Sequence, residues 1–175
     1  LHGALGLAAE ETAERIEAAI LDGGPGCAPD DRAALVAALR TGKANDEKLA
    51  DALAAAETER VRSEALPDRS EALALYRGVF FTLKDEPKVD SSLGTKSVPP
   101  AVKEALIAER ERLVPLFDRL RAARAHARTQ ALFQLAAEIH RRVEAQKARL
   151  GALDFDDLIH KALDLLDRVG AGWVL

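Results

Sequence analysis

Three carboxylates lie within four residues of one another, at Asp154, Asp156 and Asp157. Such a cluster has the chemistry of a metal site or of a general base. No other candidate ligand is close in sequence, and the start of a helix accounts for the same residue types. Asp154 is expected to cap the helix that follows, and Asp157 to complete a shortened capping box. We therefore interpret the cluster as a helix cap, with metal binding as the minor alternative.

A second chemical pattern is positive charge without intervening acids. Residues 119–137 contain no Asp or Glu, and Arg121, Arg124 and Arg128 are spaced to share one face of a helix. A solvated helix face explains many charge runs, but the absence of acids also favours an anionic partner. The expected footprint is sequence-independent contact with nucleic-acid phosphates. Because aromatic side chains are few, duplex contact is favoured over base stacking on a single strand.

Polar side chains in the segment 84–100 suit phosphate oxygens as well. This segment has no helical period and collects Pro, Gly, Ser and charge, which is typical of a flexible loop with poor order near its middle. Lys84, Lys88 and Lys96 would donate from that loop to phosphates. The alternative is that the loop is polar for solubility alone.

No catalytic arrangement is recognisable in the sequence. The four histidines are far apart, Cys27 has no triad partners, and no G-x-x-x-x-G-K-[ST] phosphate loop occurs. We expect no catalytic residue, no cofactor and no metal ion in this chain itself.

These residues need helices to position them, and the composition favours helices. Alanine and leucine dominate and aromatics make up only 4% of the chain. Apolar positions at helical spacing predict short helices within residues 12–80, the first over residues 12–21. Asp30 or Asp31 is expected to cap the second of these helices, and Asn45 or Asp46 the third. The predicted fold class is all-α, an irregular bundle of about six to seven helices.

One long helix is predicted over about residues 101–149, which contain no glycine. Pro115 should kink or divide it, because proline donates no hydrogen bond and clashes with the preceding turn. Residues 101–150 carry 11 basic and 6 acidic side chains, a net charge of +5, whereas residues 1–75 carry 8 and 15, a net charge of −7. The positive field is therefore expected on the long helix.

The single cysteine excludes an internal disulfide, and no apolar run approaches the roughly 18 residues that span a bilayer. We expect a cytoplasmic, soluble protein with no membrane partner. The sequence contains no methionine, and Trp173-Val-Leu175 resembles the opening of a buried strand. The chain is therefore expected to be a piece of a larger protein.

The segment Leu153-Asp-Phe-Asp-Asp-Leu-Ile159, after a long helix with a basic last turn, resembles the UvrD/PcrA/RecB-like superfamily 1 DNA helicases. Within that family the likeness is strongest to AddA-like helicase-nucleases, which also have segments similar to Phe80-Phe-Thr-Leu-Lys-Asp-Glu-Pro-Lys88 and Leu93-Gly-Thr-Lys96. In those AddA-like segments, glycine is more usual at the position of Asp85. The resemblance covers most of the chain loosely and is more specific over residues 149–175. The family motif includes Asp154, Phe155, Asp156 and Asp157.

The resemblance implies that residues 1–150 are a helical accessory subdomain, called 1B, and that residues 151–175 return into a motor domain that is truncated here. The intact protein would bind ATP and magnesium, unwind duplex DNA for double-strand-break repair and recombination, and pair with an AddB-like subunit. The partners of this piece would be DNA, as a duplex or a duplex/single-strand junction, and the motor domains of the same polypeptide. The piece alone would not be an enzyme. The alternative is a free-standing helical module that binds or scaffolds a protein partner.

Overall fold

The structure is a computed structural model that describes residues 11–66 and 68–169. These residues form six α-helices and no β-strand, which confirms the all-α prediction. The helices are α1 (Ala13–Asp22), α2 (Pro29–Leu39), α3 (Ala44–Ser63), α4 (Ser70–Phe80), α5 (Pro100–Leu150) and α6 (Phe155–Val169). The strand predicted to open at Trp173 lies outside the described residues. Among the helices described, none has both the length and the apolar character needed to cross a membrane.

Packing divides the chain into two compact units, Leu1–Ala127 and Arg128–Leu175. The division falls inside α5, earlier than the boundary after residue 150 that the family resemblance implies. The first unit contains a buried apolar core to which α1 to α5 all contribute. Its fully buried side chains include Ile20, Leu39, Leu53, Phe80, Leu106 and Leu113. Each such side chain stabilises the fold by about 1.5–3 kcal/mol relative to an exposed position.

The starts of the first three helices show which local preferences dominate. Thr12 caps α1, and its hydroxyl accepts a hydrogen bond from the Arg15 N–H at 3.3 Å. The predicted caps of α2 and α3 are wrong. Helix α2 begins at Pro29, because proline suits the first helical position, and the two aspartates fall in its first turn. Asp46 occupies the third position of α3 and accepts from the Lys43 N–H at 2.8 Å.

Helix α5 matches the predicted long helix closely, but Pro115 does not divide it. Leu113 and Phe117 are buried on either side of this proline and hold both turns against the core. That burial offsets the hydrogen bond that proline cannot donate.

The segment 84–100, predicted to be poorly ordered near its middle, is tied to the core instead. It forms one short 3-10 turn, Asp90–Ser92, and buries Leu93 and Val98. Thr95 is fixed by Asp46 of α3, whose carboxylate accepts from the Thr95 N–H at 2.8 Å and from its hydroxyl at 2.6 Å. The polar composition of the segment does not predict the burial of Leu93 and Val98 or the hydrogen bonds between Thr95 and Asp46.

Candidate nucleic-acid interface

The arginines predicted to contact phosphates are paired with carboxylates from elsewhere in the fold. Arg121 donates to Asp85 at 3.1 Å and also pairs with Asp118, and Arg124 donates to Glu17 at 2.7 Å. Residues 119–137 contain no acid themselves. In the fold, however, α1 and the turn after α4 place carboxylates beside their arginines. The positive face predicted for this part of α5 is largely neutralised.

Three other predicted donors remain available to an external anion. Lys84 and Lys96 are exposed in the first unit, and Arg128 is exposed in the second. None of them has an ion pair with any residue that the structure describes. They keep the charge and reach that contact with a phosphate requires.

Lys88, by contrast, is used inside the fold. Its ammonium group donates to the carbonyl oxygens of Gly78 and Val79 at 2.7 and 2.9 Å, so it satisfies carbonyls in the last turn of α4. Partial burial lowers the pKa of this amine. The position predicted for phosphate contact therefore acts as a C-terminal helix cap.

We expect Lys88→Met to lower the free energy of unfolding by about 1 kcal/mol, since two helix carbonyls lose their donor while the apolar stem is kept. Urea unfolding followed by circular dichroism measures this change. Lys84→Met removes the same charge from an exposed neighbour and is expected to be neutral. Equal effects of the two substitutions would show that Lys88 does not cap α4.

A cleft between α4 and α5 gathers several of these charges. It has a volume of about 150 Å³, and we call it the arginine cleft because Arg77, Arg121 and Arg124 line it, together with Asp85. Phe117 also lines the cleft, and the Arg77 guanidinium lies 5.9 Å from the centre of its ring. Three cations and one carboxylate therefore face the same small space.

Asp85 lies in a tight turn with a backbone conformation that usually requires glycine. Its φ angle is +70°, in the left-handed region, where Asp is one of the better tolerated residues. The Asp85 N–H donates to the Thr82 carbonyl at 3.1 Å, and the Thr82 N–H donates to the Glu86 carbonyl at 2.8 Å. The turn thus has a left-handed conformation that favours glycine, and in addition it places a carboxylate between two arginines.

The aspartates of the 154–157 segment form a helix cap in the second unit. The Asp157 N–H donates to Asp154 at 2.9 Å and the Asp154 N–H donates to Asp157 at 3.0 Å, which is the reciprocal pattern of a capping box. Lys147 pairs with both carboxylates, at 2.6 and 2.9 Å. Its hydrogen bond lowers the pKa of Asp154 to about 2. Asp156 and Phe155 are exposed, and no cluster of possible metal ligands occurs among the described residues.

The described part of the second unit also exposes large apolar side chains. Phe155 is 85% exposed, and the apolar positions of α5 beyond residue 128 are about half exposed or more. On α6 the apolar side chains share one face, as in an amphipathic helix, and within residues 11–66 and 68–169 nothing buries that face. The exposed set includes Leu132, Phe133, Leu135, Ile139, Leu158, Ile159, Leu163 and Leu166.

A buried polar network in the first unit was not anticipated from the sequence. The Glu109 carboxylate is 2% exposed and accepts from the Tyr76 hydroxyl and the Gly24 N–H, both at 2.8 Å, and from Arg112 at 2.6 Å. Arg32 is equally buried and lies 4.5 Å above the Tyr76 ring. A usable signal existed, because Glu109 falls at helical spacing among the buried leucines of α5.

The single cysteine, Cys27, is buried near this network. Burial raises the pKa of the Cys27 thiol to about 12, so it stays protonated near neutral pH. Its sulfur lies 3.6 Å from the Ala105 carbonyl oxygen, which it contacts as a weak donor. Cys27 and its charged neighbours therefore hold helices together.

Comparison of the chain with protein-family models, with curated proteins and with solved structures found no match.

Proposed function

We propose that this chain is a DNA-contacting helical accessory domain, of the 1B type, from an AddA-like ATP-dependent DNA helicase-nuclease. The observation that carries the proposal is the sequence likeness over residues 149–175. A basic turn ends α5 there, and the capped start of α6 at Asp154 and Asp157 follows directly. The all-α fold agrees with this assignment. In the intact protein the motor domains would bind ATP and magnesium, and an AddB-like subunit would complete the complex in the bacterial cytoplasm.

In this role the domain binds the phosphates of a duplex or of a duplex/single-strand junction. Lys84, Lys96 and Arg128 offer exposed charges. Arg121 and Arg124 are paired, but exposed ion pairs contribute only about 0–1 kcal/mol each, so phosphates can replace their carboxylate partners. Lys88 is omitted from the proposed contacts because it caps α4.

Substituting Arg121, Arg124 and Arg128 together by Ala should weaken binding to a duplex with a single-stranded tail by at least tenfold at low salt, since three phosphate contacts are lost. Fluorescence anisotropy with a labelled tailed duplex measures this.

The matched control removes three exposed charges, at Arg40, which follows α2, and at Lys48 and Arg62 of α3. Equal weakening by the control would show that binding depends only on net charge and would contradict a defined contact surface.

A helical protein-interaction module is the second candidate, and the exposed apolar face of α6 favours it. An unpartnered face of this kind is typical of a surface that docks another protein. In the helicase proposal the same face would pack against the motor domains of the intact polypeptide. The two candidates differ in DNA affinity: an interaction module alone would bind neither duplex nor tailed DNA in the anisotropy titration.

A further inference from the structure

We propose that the arginine cleft is a binding site for a single phosphate group, and that the Asp85 carboxylate occupies the place of that phosphate. The inference rests on the proposed function for the source of the phosphate, which is the backbone of DNA. The geometry of the phosphate site does not depend on the proposed function, because the side chains that line the cleft determine it.

The carboxylate of Asp85 is held as a phosphate would be held. One of its oxygens pairs with Arg77 of α4 and the other accepts from Arg121 of α5 at 3.1 Å. Two guanidinium groups from different helices thus converge on two oxygens of one anion, which is the arrangement that arginine offers to phosphates. Arg124 lines the same cleft as a third cation.

The other charges that face the cleft determine how strongly an anion is attracted. Asp118 pairs with Arg121 and Glu17 pairs with Arg124, both outside the lining of the cleft. When Asp85 leaves, the three arginines of the lining keep two carboxylate partners, Asp118 and Glu17, and the group has a net charge of +1. An anion that displaces Asp85 therefore enters a positive site.

Displacement of Asp85 is feasible because the pairs are open to solvent. Asp85 is 40% exposed, Arg77 is 39% exposed and Arg121 is 63% exposed. Ion pairs exposed to this degree are weak and screened by salt, so a phosphate oxygen can replace the Asp85 carboxylate as the partner of the two arginines.

Two substitutions in the full chain test the site. Asp85→Asn removes the competing charge and keeps a residue that tolerates the left-handed backbone, so affinity for the tailed duplex should rise on the order of fivefold. Arg77→Gln removes a cation that lies outside α5, and it should lower affinity by a similar factor and reduce the salt slope by about 1.

Asp51→Asn and Arg40→Gln are the matched controls. They change the same charges in the exposed ion pair between Arg40, just after α2, and Asp51 of α3, and should leave affinity unchanged. If Asp85→Asn and Arg77→Gln behave like these controls while the wild type binds DNA, the cleft is not the site. The proposed function would then still stand.

Inorganic phosphate provides a second arm that does not depend on DNA. At matched ionic strength, phosphate should raise the Tm of Asp85→Asn more than that of Asp51→Asn, because a ligand that binds only the folded state stabilises it. Stabilisation by phosphate without any DNA binding would keep the cleft and overturn the DNA function. Absence of both effects would overturn both proposals.

Discussion

Glu109→Ala should lower the free energy of unfolding by roughly 3–5 kcal/mol, the effect expected when one partner of a buried charge pair is removed. The substitution leaves the buried Tyr76 hydroxyl and Gly24 N–H without their shared acceptor, and Arg112, whose side chain is 27% exposed, keeps only the carbonyl oxygens of Ala19 and Ile20. These three donors belong to α5, α4 and the loop after α1. The loss should therefore appear as one cooperative change in the whole first unit.

Urea unfolding followed by circular dichroism measures this loss, with Glu111→Ala as the control. Glu111 lies on the same helix but is 70% exposed, so its removal is expected to cost less than about 0.5 kcal/mol. A Glu109→Ala protein as stable as the control would mean that the network is not buried as described.

Asp46→Ala should have the second largest effect, a loss of about 3 kcal/mol in the free energy of unfolding. Its carboxylate accepts hydrogen bonds from the Lys43 N–H, the Thr95 N–H and the Thr95 hydroxyl, and these join the start of α3 to the segment 84–100. Gly42 allows this approach, because a Cβ atom there would lie 2.3 Å from the Asp46 carboxylate. Asp51→Ala, on the exposed face of the same helix, is the matched control.

The contribution of Asp46 should also depend on pH. Burial on its own would raise the pKa of Asp46, but hydrogen bonds from Thr95 and Lys43 outweigh burial and hold that pKa below its ordinary value. A carboxylate whose pKa is lower in the folded state stabilises the fold above its unfolded pKa, about 3.9. The stability difference between wild type and Asp46→Ala should be constant from pH 7 to about pH 5 and shrink as the pH falls through the folded pKa. A difference that persists unchanged at about pH 2 would contradict this role of the charge.

The helices could be predicted from the sequence because their signals are local. Apolar spacing predicted short helices within residues 12–80, of which α4 is one, and the absence of glycine predicted α5. Local signals gave wrong predictions where a second effect at the same residues was stronger. Proline at the first helical position of α2 displaced the expected aspartate cap, and buried neighbours kept α5 intact through Pro115.

The candidate site was less predictable because its partners are distant along the chain. Arg121 and Asp85 are 36 positions apart, and Arg124 and Glu17 are 107 apart, so an acid-free window in the sequence does not predict an unpaired face. Lys88 has the charge of a phosphate contact but caps a helix that ends eight positions before it. Only tertiary structure distinguishes these roles.

The salt dependence of DNA binding by the wild-type chain tests the central claim most directly. If Lys84, Lys96, Arg121, Arg124 and Arg128 neutralise about five phosphates, the logarithm of the association constant for a tailed duplex should fall linearly with the logarithm of salt concentration, with a slope of about −4.5. Fluorescence anisotropy over a range of salt concentrations measures that slope. No binding at the lowest salt, or a slope near zero, would contradict a DNA-contacting function for this domain.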